Sequence, residues 1–203
     1  SPQLGGTQDV ALRNYVMANG LQTVENGGTV EIIPTQNSQT LDLFKQGMLD
    51  GAWVPEPWAS RLIVEGGGVL LVDERDLWPD GAFVTTHIIV STPFLKTHPD
   101  WVKAWLDAHV EITSWEQGHP LEAKALVNSE IERLTGKKLD DRVLEQAWDR
   151  MTVTWDPISS SLVESANSAF NIGFLKEQPD LSGIYDLTLL NEVLTEKGLT
   201  EVH

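Results

Sequence analysis

Cysteine is absent from the chain, which removes disulfides, thiolate metal sites and cysteine nucleophiles from consideration. Basic side chains are scarce: 14 Lys and Arg stand against 30 Asp and Glu, a formal net charge of −16. That balance argues against a nucleic-acid partner, which would be gripped by Lys and Arg neutralising phosphates. It argues equally against docking on an anionic membrane surface. It suits a soluble chain kept monomeric by self-repulsion. No apolar run reaches the roughly 18–20 residues of a membrane span. The opening Ser1-Pro2-Gln3-Leu4-Gly5-Gly6 lacks the charged-then-apolar order of a signal peptide, so either a leader has been removed or the chain starts partway through a larger protein.

What is present is ordinary globular material. The 203 residues are 41% hydrophobic and 22% charged, enough for one domain or two small lobes. The first 90 residues alternate between helical and strand patterns. Residues 8–19 read as a helix with Thr7 as its cap, Asp9 in the first turn and Leu12, Tyr15 and Val16 as an apolar stripe. Residues 29–33 (TVEII), 51–54, 69–72 (VLLV) and 84–90 (VTTHIIV) read as strands. Between them, 38–46, capped by Asn37, and 57–65, opened by Pro57, read as helices. This rhythm predicts a mostly parallel sheet covered by helices, with ligands received beyond the carboxyl ends of its strands. After residue 90 the pattern turns to long helices: 99–117, 120–134, 140–151, 159–177 and 187–197. Those helices have little sheet of their own to cover, an imbalance most simply met by strands lying before Ser1.

Three loops carry candidate chemistry. Leu4-Gly5-Gly6-Thr7-Gln8-Asp9 opens the first helix, where glycines permit close backbone approach and the first turn offers N–H groups to an anion. Thr7 and Gln8 add uncharged donors. Taken alone, this stretch reads better as a glycine turn followed by a helix cap, and it lacks the lysine of a nucleotide-binding P-loop. Ala52-Trp53-Val54-Pro55-Glu56-Pro57-Trp58 runs a strand into a rigid Pro-x-Pro corner that presents Glu56 and Trp58. A packing tryptophan and a solvated glutamate fit that spacing equally well. Thr85-Thr86-His87 marks the change of pattern, either as a hinge with hydroxyls facing a cleft or as half-buried strand residues. Trp155, in Trp155-Asp156-Pro157 ahead of a serine-rich helix start, completes the candidate set. Catalytic templates are missing. His87, His98, His109, His119 and His203 show no metal-binding spacing, and no G-x-S-x-G elbow occurs. No catalytic residue, metal or cofactor is expected.

The segments 5–13 (GGTQDVALR), 51–62 (GAWVPEPWASRL), 72–79 (VDERDLWP), Thr85-Thr86-His87 and 94–100 (FLKTHPD) together resemble substrate-binding proteins of ABC importers of the nitrate, taurine and aliphatic-sulfonate type. The resemblance implies an α/β fold of the periplasmic-binding-protein type II kind, with one complete α/β lobe and a helix-rich partial second lobe. Residues 1–86 would form the inserted lobe, and residues 87–203 the C-terminal part of the other, whose N-terminal strands have no counterpart here. It further implies an interlobe cleft for a small organic anion. Gly6, Thr7 and Gln8 would hold the anion, Trp58 would border the organic part, Glu56 would meet an amino or polar group, and Thr85 and Trp155 would complete the lining. An ABC permease in the inner membrane would be the partner, with the protein periplasmic or otherwise extracytoplasmic, free or lipid-anchored upstream of Ser1. Two rivals share related folds: a pyrimidine-forming enzyme of the thiamine pathway, and the effector-binding module of a transcription regulator.

Overall fold

The computed structural model describes residues 1–203, and the chain divides into two units. The first comprises Ser1–Thr85, Asp140–Met151 and Ser160–Asp180; the second comprises Thr86–Leu139, Thr152–Ser159 and Leu181–His203. Two segments that the sequence division assigns to the C-terminal body therefore cluster with the first 85 residues.

In the first unit, helix α1 spans Thr7–Ala18, α2 Asn37–Lys45 and α3 Trp58–Val64. Helix α7 (Asp141–Arg150) packs on α3, and α8 (Ser159–Asn171) lies almost wholly in the same unit. The helix starts differ from expectation by a residue. Gly6, not Thr7, is the cap of α1, and no side chain bonds to its first turn. Likewise Gln36 and Pro57 precede α2 and α3. Asp140 does cap α7, its carboxylate accepting from the Arg142 N–H at 2.9 Å. The core is built from Val10 and Val16 of α1, Leu41 of α2, Leu62 of α3, Ile32, and Val143 and Ala147 of α7, all buried. Helix α8 stops six residues earlier than its pattern suggests. Gly173 adopts φ +81° and donates to the Phe170 carbonyl, while Phe174 donates to Ala169, which turns the chain off the helix axis.

The second unit contains α4 (Thr92–Thr97), α5 (Pro99–Gly118), α6 (Pro120–Thr135) and α9 (Thr188–Glu196). Its core joins Val110 of α5 to Leu190, Val193 and Leu194 of α9 and to Val202, with Leu106, Trp155, Leu187 and Leu199 packed around them. His87 and Tyr185 share a hydrogen bond of 2.7 Å here.

The expected parallel sheet is not observed. The only β pairing is an isolated parallel bridge between Thr23 and Val30. Residues 51–54, 69–72 and 84–90 carry no ladder, and Val69, Leu71 and Ile89 are 87–89% exposed. A strand is defined by the neighbour that takes up its N–H and C=O groups. These segments keep the apolar, β-branched composition of strands, but no such neighbour lies beside them.

Candidate functional site

Asp9 organises the start of α1. Its side chain is fully buried, and it accepts from the Ser1 hydroxyl at 2.8 Å, the Gly5 N–H at 3.0 Å and Arg13 Nε at 3.1 Å. Burial pushes this carboxyl up, but the Gly5, Ser1 and Arg13 donors outweigh it and hold Asp9 below its ordinary range. Gly5 sits at φ +72°, a left-handed conformation that suits glycine, so its N–H turns back to Asp9. The loop is thus tied to the helix it precedes, while the first turn of α1 keeps its N–H groups clear of any capping side chain.

Beside that turn lies a small cleft open to solvent. Thr7, Gln8, Val10 and Ala11 of α1 form one side, Ser165 and Ser168 of α8 another, and Glu74, Trp78 and Phe83–Thr85 the rest. Two hydrogen bonds fix α8 in place: the Val84 N–H donates to Ser161 Oγ at 3.1 Å, and Asn14 Nδ2 donates to the Ser168 carbonyl at 3.4 Å. The side chain of Arg13 reaches over the Phe174 ring at 5.3 Å, just past the end of α8.

Aromatic groups hold the acidic corner. Tyr15 of α1 packs against Trp53 with ring centroids 5.3 Å apart. Trp53 Nε1 donates to Glu74 Oε2 at 2.6 Å, and Trp78 Nε1 donates to Glu74 Oε1 at 3.3 Å. Trp78 in turn stacks on Phe83, nearly parallel, at 5.3 Å. Burial raises the Glu74 carboxyl above the ordinary glutamate range, and neighbouring Asp73 pushes the same way, against the two indole donors. Asp73 itself is held below its ordinary range, chiefly by its hydrogen bond with Arg75.

Of the residues proposed from sequence, the structure gathers Thr7, Gln8 and Thr85 around this cleft. Gly6 stands immediately before it as the cap of α1. Glu56 and Trp58 are engaged elsewhere in the first unit. Glu56 pairs with Arg150 of α7 at 3.0 Å and accepts from the Ser60 N–H at 3.1 Å. Trp58 lies under the Arg61 guanidinium, 4.5 Å from ring centroid. Trp155 belongs to the second unit, packed on its apolar core. The sequence reading passed over Glu74, Trp78, Ser165 and Ser168. Ser165 and Ser168 were within reach, since two hydroxyls three apart share a helix face. Glu74 was not, because the indole of Trp53 that holds it lies 21 residues away.

The profile of the NMT1-like family matches residues 1–129, and the chain belongs to that family. It is 27% identical over 169 residues to a Bacillus subtilis (strain 168) protein named "Putative aliphatic sulfonates-binding protein", an alignment covering 82% of this chain and 49% of that protein. The chain thus spans about half the length of the curated relative it matches. No solved structure matches it. No group of three or more His, Asp or Glu is placed to hold a metal ion, and no helix is long and apolar enough to cross a membrane.

Proposed function

We propose that this chain is the solute-binding part of an ABC importer, working as a monomer outside the cytoplasm and delivering a small organic anion of the aliphatic-sulfonate class to a membrane permease. The observation that supports this reading most directly is the meeting of Thr7 and Gln8 with Thr85, Ser165 and Ser168 around one cleft at the start of α1, where no side chain bonds to the first turn. A sulfonate presents three acceptor oxygens and a spread negative charge. Hydroxyl, amide and helix N–H donors satisfy such a group without a basic side chain. The relative's printed name points to the same ligand class.

The net charge of −16 does not oppose this. Exposed charges beyond about 8 Å are largely screened at physiological salt, whereas hydroxyl and N–H donors act at contact. Calorimetric titration of the full chain with an alkanesulfonate tests the reading. Thr7→Val combined with Gln8→Ala is expected to weaken binding at least tenfold, and unchanged affinity would overturn the proposed anion site.

A further inference from the structure

Residues 83–85 form one wall of the cleft, yet they belong to no helix and no β ladder. No regular element fixes them, so their place depends on individual contacts. Two are made. The Phe83 ring stacks on Trp78 at 5.3 Å, and the Val84 N–H donates to Ser161 Oγ at 3.1 Å. Thr85, the next residue, is exposed. The position of its hydroxyl therefore follows from how the two residues before it are held.

Ser161 is 4% exposed and lies outside the cleft lining. On α8 it stands one turn before Ser165 and two before Ser168, so the three serines share a helix face. The later two line the cleft, while the first is committed to the backbone of another wall. Helix α8 is also fastened without Ser161, through Asn14 to the Ser168 carbonyl at 3.4 Å and Arg13 over the Phe174 ring. Loss of the Ser161 hydroxyl should thus free the 83–85 segment and leave α8 docked. A half-buried N–H deprived of its acceptor turns toward water, and the chain beside it moves with it.

We propose that Ser161 is a positioning residue of the anion cleft: by holding the Val84 N–H, its hydroxyl sets the Thr85 hydroxyl for the captured oxyanion. This rests on the anion-binding reading above. Ser161 acts on the ligand only through the segment it braces, and Thr85 makes the contact.

Calorimetry of the full chain with ethanesulfonate tests the proposal through a double-mutant cycle of Ser161→Ala and Thr85→Val. Either substitution alone is expected to weaken binding about tenfold, the effect of one lost hydrogen bond. The two together should weaken it to within about twofold of Thr85→Val alone, because both remove the same contact. A residue that merely supported the fold would instead lower affinity by the same factor in both backgrounds. Where Ser161→Ala fails to fold, amide hydrogen exchange of the wild-type chain decides. Binding that needs the brace must strengthen it in return, so saturating ethanesulfonate should slow exchange of the Val84 N–H about fivefold or more. The Gly20 N–H, held by the Met17 carbonyl at the other end of α1, should keep its rate. Unchanged affinity in Ser161→Ala, additive losses in the cycle, or a Val84 rate indifferent to the ligand would overturn the role of Ser161 and leave the anion site standing. Failure of the wild-type chain to bind ethanesulfonate would overturn the two together.

Discussion

Arg150 and Glu56, 94 residues apart in sequence, form an ion pair of 3.0 Å in which the glutamate side chain is 8% exposed. The same Arg150 nitrogen donates to Ser60 Oγ at 2.9 Å, and Glu56 also accepts from the Ser60 N–H. Three residues thereby lock the end of α7 onto the start of α3. The Pro-x-Pro corner is a structural joint within the first unit.

Removing one partner of such a pair strands a buried charge. Arg150→Ala is expected to destabilise the protein by about 3–5 kcal/mol. Glu56→Gln, whose amide oxygen still accepts from the Ser60 N–H, should cost clearly less. Urea unfolding of the two variants in the full chain decides, and equal losses would contradict the assignment.

Asp9 supplies a pH-dependent contribution. Its folded-state pKa lies below the ordinary aspartate value, so its stabilisation is present in full above that ordinary value, about 3.9. It is lost as pH falls through the depressed folded value. Asp9→Asn should therefore destabilise near neutrality by about 1.5–3 kcal/mol, as expected for a hydrogen bond to a charged group. The gap between variant and wild type should close in strong acid. Thermal denaturation across pH 2–7 would reveal a constant gap if the charge of Asp9 were irrelevant.

Gly5 is tested through its backbone. A Cβ built on it meets no atom within 4 Å, yet its φ is +72°. Gly5→Ala should thus cost about 1–2 kcal/mol through left-handed strain alone. It should also weaken sulfonate binding, since the Gly5–Asp9 tie sets the loop before Thr7. Unfolding and titration of the same variant measure both effects.

The raised pKa of Glu74 sets a sign for ligand binding. Above the ordinary glutamate value, about 4.3, the proton leaves Glu74 only as pH climbs further toward the raised folded value. Across that interval ethanesulfonate should bind progressively less well, because Glu74 gains negative charge in the same cleft. Asp73, the charged neighbour acting on Glu74, is held below its ordinary range and so stays ionised throughout. Affinity that falls with rising pH in calorimetry is the expected outcome, and affinity that does not change with pH would contradict it.

How far the sequence could be read varies with the range of the interaction involved. Helices were legible because their hydrogen bonds close within four residues: the stripe on α1, the Asp140 cap and the long α5 and α6 all lie close to their patterned positions. The segments 69–72 and 84–90 carry strand composition, but that composition states only a readiness to pair. The partner that would complete a ladder is not encoded locally, and the structure places none beside them.

The sequence alone determined the excess of acidic residues, the absence of thiol chemistry, the helical segments and the glycine bend that opens α1, since each follows from composition or from contacts a few residues apart. Tertiary packing alone decided that Thr7, Gln8 and Thr85 share a cleft with serines of α8, and that Glu74 is gripped by two tryptophans. It also committed Glu56 to an arginine of a distant helix. Those outcomes depend on which uncompensated donor, acceptor or charge finds a partner once the chain has folded, and spacing along the chain carries no record of that choice.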